Sequence, residues 1–203
     1  MRKLFRRMLL CVFVPVFIWG GSLISDRQQL RQDLVRLHVV ASSDAPEAQN
    51  LKLQVRDAIV SSLEEAMADI RDPEAAKAYL RENLQKLQTI ANQVLSDAGC
   101  TDQAVVTLQE EEFDTRHYDT FSLPAGIYDS LRIIIGPGDG HNWWCVVFPT
   151  LCVPVSAEGF ESVAAGAGFS EELSAALEGK DGYEFRFYLL DLLGRLENIL
   201  REG

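Results

Sequence analysis

Three features of the sequence predict an α+β fold, with a small mixed or antiparallel sheet of about four strands covered by a helical hairpin and a C-terminal helix. Apolar residues alternate with polar ones in short stretches, which is the mark of strands. They recur at three- and four-residue spacings in three longer stretches, which is the mark of amphipathic helices. The order of these patterns is strand, two helices, consecutive strands and a last helix, and helices segregated from a run of strands indicate α+β rather than a doubly wound fold. At 203 residues the chain is long enough for one well-filled core and a short extra segment. Residues 30–203 accordingly read as a single α+β domain, and residues 1–25 as a separate N-terminal signal peptide or signal-anchor helix.

The N-terminal segment has the layout of an export signal. Arg2, Lys3, Arg6 and Arg7 precede an uncharged apolar run over residues 8–24. Seventeen residues sit at the low edge of what spans a bilayer, and Gly20, Gly21 and Ser22 offer a place for cleavage, so the run reads as a retained anchor with removal as the alternative. Residues 26–32 read as a polar lead away from the membrane.

The first strand is expected over 34–41, with Val35, Leu37 and Val39 on one face and Arg36 and His38 on the other. Asp44, Pro46 and Glu47 predict a helix start, with Asp44 accepting from the open N–H groups of the first turn. That helix carries the stripe Leu51, Val55, Ile59, Leu63, Met67 and Ile70. A second, started by Asp72 and Pro73, carries Leu80, Leu84, Leu87, Ala91, Val94 and Ala98 and is capped by Gly99. Strands follow over 104–113 and 127–135, separated by a polar loop with Arg116, His117 and Asp119 and by the turn Leu123-Pro-Ala-Gly126. Residues 155–182 read as a less ordered connection with a short helical piece near Glu171. A final helix is expected to dock on the sheet through Phe185, Tyr188, Leu192, Leu196 and Ile199.

The densest concentration of costly residues is residues 136–152, where Gly136, Gly138 and Gly140 open onto a strand over 143–148. Alternation places His141, Trp143 and Cys145 on one face and Trp144, Val146 and Phe148 on the other. Cys145 and Cys152 close an eight-residue loop around Pro149, and in an exported protein that spacing predicts a disulfide. Such a bridge stabilises by roughly 2.5 kcal/mol in the chain-entropy picture. Cys100 is then left unpaired.

Composition excludes some function classes. All 30 acidic residues and 15 of the 19 Lys and Arg lie after Ile24, a formal charge of −15 for that part, so neither nucleic acid nor an anionic membrane surface is an expected partner. Zinc on His141, Cys145 and Cys152, with His38 or His117, uses acceptable ligand types at a spacing that matches no finger or ribbon, and it competes with the disulfide for the same sulfurs. No metal and no cofactor is expected. A nucleophilic cysteine with His141, His117 or His38 as base and Asp44 or Asp119 as orienter has no local signature behind it. An exported Cys/His-dependent hydrolase is therefore the alternative reading, and the chain is expected not to be an enzyme.

Several stretches together carry a resemblance. They are Val35-Arg-Leu-His-Val-Val-Ala-Ser-Ser-Asp44, Leu51-Lys-Leu-Gln-Val-Arg-Asp57, Leu123-Pro-Ala-Gly126, and Gly140-His-Asn-Trp-Trp-Cys145 through Phe148-Pro149 and Leu151-Cys152. In these the chain resembles the stage II sporulation protein R family over roughly residues 30–160. Ser42 in place of an asparagine, Pro137 in the glycine turn and Thr150 in place of a second proline depart from the family pattern, in loops only. The resemblance implies a signalling protein exported from the forespore into the space between the septal membranes, held there by its N-terminal segment or released. Its implied partner is a membrane-embedded aspartic protease of the mother cell, which then processes the precursor of a mother-cell sigma factor. The expected contact surface is the glycine turn and its neighbours: Gly140, His141, Asn142, whichever of Trp143 and Trp144 faces outward, and His38 and Asp44 at the end of the first strand.

Overall fold

The computed structural model describes residues 19–149 and 157–202. The expected anchor lies mostly outside them, as does Cys152. Among the described residues no helix is long and apolar enough to cross a membrane. Helix α1 covers residues 19–33, followed by β1 (Val35–Val40), α2 (Pro46–Ala66) and α3 (Pro73–Asp97). Strands β2 (Ala104–Phe113), β3 (Arg116–His117), β4 (Ser122–Leu123), β5 (Gly126–Ile135) and β6 (Asn142–Phe148) come next, then α4 (Ala157–Gly166), α5 (Glu171–Glu178) and α6 (Glu184–Glu202).

The main sheet is mixed, in the order β2-β5-β1-β6, with β1 parallel to β5 and the other neighbours antiparallel. β3 and β4 form a separate two-stranded hairpin. β1 is central, and all six of its residues are buried. A strand with a neighbour on each edge and helices on each face has no solvated side. On the first face, Val35, Leu37 and Val39 pack under the α2–α3 hairpin with Val55, Ile59, Leu80 and Leu87. Each such side chain contributes roughly 1.5–3 kcal/mol on burial. The second face is covered by α1, α4, α5 and α6 around Leu30, Phe113, Tyr128, Val146, Phe160 and Leu190. A register shift between Val35 and Arg36 in the β1–β6 pairing breaks the alternation of β6, so Phe148 joins Val147 on the first face.

Several expectations need correction. Residues 26–32 do not lead away as a polar stretch, because they belong to α1, which buries Leu23, Asp26 and Leu30 in the domain. The domain therefore begins by residue 19, not at residue 30. The stretch expected to be less ordered, 155–182, forms α4 and α5. α4 buries Phe160 and Ala164. α5 is capped by the Ser170 hydroxyl, which accepts from the Leu173 N–H at 3.0 Å, and it buries Leu173 and Leu177. Asp44 does not cap α2, whose N-cap is Ala45. With Pro46 at its first position the helix has one fewer N–H to satisfy, and Asp44 turns to His141 instead.

The largest correction concerns α6. Phe185, Tyr188, Leu192, Leu196 and Ile199, expected to face the sheet, are 39–64% exposed. The docked face is made of Leu190, Gly194, the partly buried Phe187 and Leu189, and polar side chains. Asp191 accepts from the Ala125 N–H at 2.8 Å and from the Thr115 hydroxyl, and Asn198 donates to the Phe113 carbonyl at 3.2 Å. Glu197 pairs with Arg27 at 2.7 Å and Arg31 at 3.0 Å, and Arg186 Nε pairs with Asp26 at 2.8 Å, so α1 and α6 run side by side in the same direction. Backbone meets backbone at Gly194, where an added Cβ would lie 1.7 Å from the Ala125 carbonyl oxygen. Gly194→Ala should therefore lower the urea midpoint by the equivalent of about 1–3 kcal/mol. Gly21→Ala, at an open helical position, should be neutral or gain up to about 1 kcal/mol. Equal midpoints for the two variants would show that α6 does not dock here.

Candidate functional site

The residues singled out in the sequence divide between two places at one end of the sheet. The first is an exposed rim where β1 leaves the sheet and β6 enters it. The Gly140 N–H donates to the Ala41 carbonyl at 3.0 Å, and an added Cβ there would sit 2.3 Å from the Ser43 carbonyl oxygen, so only glycine lets the two loops touch. This contact brings His141 onto Asp44. The His141 N–H donates to Asp44 Oδ1 at 2.7 Å, and ring Nδ1 meets the same oxygen. Hydrogen bonds from the His141 ring and then from its backbone hold the Asp44 carboxyl below the usual carboxylate range. Both side chains remain more than half exposed. From beneath, the buried ammonium of Lys52 on α2 donates to the His141 carbonyl at 3.0 Å and to Gln49 Oε1 at 2.6 Å. Burial and then the charge of Arg56 push Lys52 down. Asn142 is exposed next in line, paired in register with Val40. Trp143 is half-buried on the first face with the Arg56 guanidinium 4.2 Å above its ring.

The second place is a cation–aromatic layer inside the second face. His38 belongs here and not to the rim, since it is 4% exposed. Its ring stacks on Trp144 at 3.7 Å, and its Nδ1 lies 2.8 Å from Glu111 Oε1. The Arg116 guanidinium lies 4.9 Å from the centre of the Trp144 ring, and Phe113 meets Trp144 edge-on at 5.0 Å. Two residues back on β1, Arg36 is fully buried, its guanidinium 3.9 Å over Phe113 and 5.1 Å over Tyr128, with Nη2 donating to the Tyr118 hydroxyl at 3.0 Å. The expectation that one tryptophan is exposed and one buried fails, because each is half-buried on its own face.

The sequence reading missed Lys52, Glu111, Arg56 and Tyr118. Only Arg56 and Lys52 carried a signal, lying in the Leu51–Asp57 motif among a helix's polar positions. Cys145 is buried and disulfide-bonded, so it has no thiolate to act as a nucleophile. Its expected partner Cys152 lies outside the described residues, while Cys100 carries a free thiol. Among the described residues no three His, Cys, Asp or Glu side chains gather as a metal site. His117 pairs with the Ser122 hydroxyl on the β3–β4 hairpin.

Glu111 gives this layer a pH dependence. Burial alone would raise its carboxyl, but the hydrogen bond from His38 and the charges of His38 and Arg132 outweigh burial and hold it below its ordinary value of 4.5. A carboxyl that titrates lower in the folded chain leaves the unfolded state to take up the proton first, so this stability is present above about pH 5 and is lost as pH falls through the folded value. Between pH 6 and pH 3 the parent should lose more urea stability than Glu111→Gln. Identical losses would show that the His38–Glu111 pair contributes nothing.

Comparison with known proteins follows the same residues. The sequence profile described as Stage II sporulation protein R matches residues 31–158. The Stage II sporulation protein R of Bacillus subtilis (strain 168) is 28% identical over 158 residues, covering 72% of this chain and 70% of that protein. No solved structure matches.

Proposed function

The chain belongs to the stage II sporulation protein R family, and on that premise we propose that it is an exported signal that activates a membrane-embedded aspartic protease across the septum. In this reading the protein leaves the forespore by its N-terminal segment, remains anchored or is released between the two membranes, and acts on a protease in the mother-cell membrane. Processing of the mother-cell pro-sigma factor follows. The basic n-region and the apolar run over residues 8–24 support export.

The observation that carries the reading is the rim. The stretch with the most specific resemblance, Gly140 to Cys145, is displayed at the end of a sheet, with His141 held by Asp44 and Lys52 and with Asn142 exposed. A pre-positioned polar and aromatic edge suits recognition, because little side-chain freedom remains to be lost on binding. An activator without chemistry of its own must bind the active arrangement of the protease better than the inactive one. The disulfide between Cys145 and Cys152 belongs to the same proposal, since it would fix the far end of β6. Export into an oxidising space favours it.

The test is reconstitution in a non-sporulating host that co-expresses the protein, the protease and the precursor. Processing should require the protein. Replacing both His141 and Asn142 with alanine should lower processing about thirtyfold, equivalent to about 2 kcal/mol of binding, with the protein level unchanged. Full processing by the double variant would remove the rim from the interface, and processing without the protein would remove the proposed function itself.

A further inference from the structure

α6 presents an unpartnered apolar face. Phe185, Tyr188, Leu192, Leu196 and Ile199 line it, with Leu200 81% exposed beside them and Trp19 stacked on Phe185 at 5.9 Å. At these exposures the face amounts to on the order of 700 Å² per copy, above the ~300–600 Å² of a typical monomer's largest apolar patch and near the ~800 Å² each partner brings to a standard interface.

Its pattern says what covers it. The steps from Phe185 to Ile199 are three, four, four and three residues, so the stripe reads the same in both directions about Leu192. An antiparallel copy of α6 centred there sets Phe185 against the partner's Ile199, Tyr188 against the partner's Leu196, and Leu192 against itself. Large aromatic residues meet smaller aliphatic ones at each end, as interdigitation requires. The ends also match in charge. Glu184 comes within one residue of register of the partner's Arg201, both exposed at opposite ends of the helix, and Arg201 lies only loosely, at 3.8 Å, against Glu110 and Glu112 of its own chain. Arg186, Arg195 and Arg201 nearly balance Glu184, Asp191, Glu197 and Glu202, so two such helices approach without the repulsion that the acidic chain would otherwise impose.

We propose that the protein self-associates as an isologous dimer through an antiparallel pair of α6 helices centred on Leu192. The closed two-fold arrangement consumes the face once in each copy and leaves none to propagate. Other occupants fit less well. An anionic lipid surface is disfavoured by the acidity after Ile24. A fold-back of residues 1–18 would need a reversal at Trp19, since α1 and α6 run in the same direction there. The dimer is independent of the protease reading, because α6 shares no residue with the rim.

Sedimentation of the full chain in mild detergent tests this. The parent should be a dimer at micromolar concentration. Leu192→Glu should be monomeric with unchanged circular dichroism, and its urea midpoint should lose the dependence on protein concentration that the dimeric parent shows. Glu184→Arg and Arg201→Glu should each weaken association about tenfold, and the two together should restore it, a rescue that misfolding or detergent binding would not give. Leu192→Cys should form an intermolecular disulfide on mild oxidation, whereas Ile24→Cys, exposed but off the stripe, should not. A monomeric parent overturns the proposal. So does a dimer that persists in Leu192→Glu, or a charge swap that fails to restore association, and in those cases lipid or residues 1–18 cover the face.

Discussion

The second face of the sheet is built around one constraint, the burial of Arg36 on the central strand. A guanidinium taken out of water costs several kcal/mol unless its charge and its donors find partners. Its partners here are ring faces: Phe113 and Tyr128 lie over and beside it, and one nitrogen reaches the Tyr118 hydroxyl. Nε and Nη1 have no hydrogen-bond acceptor among the described residues. The layer therefore depends on cation–π contact, worth up to about 2 kcal/mol per ring when water is excluded. This explains why aromatic residues crowd this face. His38 is held in a similar way, since Glu111 takes its Nδ1 and Trp144 covers its ring, while its Nε2 has no hydrogen-bond partner among the described residues.

The same layer positions the candidate signalling edge. Trp144 is locked against His38, Phe113 and Arg116, while Trp143, its neighbour on β6, is held on the opposite face under Arg56. A strand gripped on both faces enters the rim with His141 and Asn142 in fixed places, which is what a recognition edge needs. The Leu123-Pro-Ala-Gly126 turn acts from below. The Ala125 N–H is held by Asp191, and its carbonyl accepts from Arg27 at 3.0 Å. α5 and α6 lie beyond the part of the chain that matches the family, residues 31–158, yet α6 closes on a turn within it. The second layer is thus assembled from strands inside the matched part and a helix outside it.

What was legible in the sequence was what apolar periodicity encodes. The alternation Val35, Leu37, Val39 against Arg36, His38 placed β1 correctly on both faces, the α2 and α3 stripes found the sheet, and Gly99 ended α3. Periodicity misled at α6 because a strongly amphipathic helix is expected to turn its apolar stripe inward. Its most regular stripe faces outward, while the docked face is anchored by carboxylates, arginines and a glycine whose partners lie on α1 and on the 123–126 turn. No hydropathy pattern reports a satisfied buried ion pair. α1 was hidden for a related reason: its polar residues pair with α6 and so resemble a solvated lead. At the rim, Asp44 was assigned to the wrong partner, because a local capping contact and a long-range contact to His141 have the same sequence signature.

The central claim is that the place of Arg36 accepts a planar guanidinium between ring faces but not a compact, strongly hydrated ammonium. Urea unfolding of Arg36→Lys beside Arg36→Met tests it directly. An ammonium cannot cover Phe113 and reach Tyr118 at once, and it is desolvated at greater cost than a guanidinium. The account predicts that Arg36→Lys loses at least about 2 kcal/mol and that Arg36→Met, which fills similar space without a buried charge, loses less. Parental stability in Arg36→Lys, with collapse in Arg36→Met, would mean that charge alone is what the second face requires.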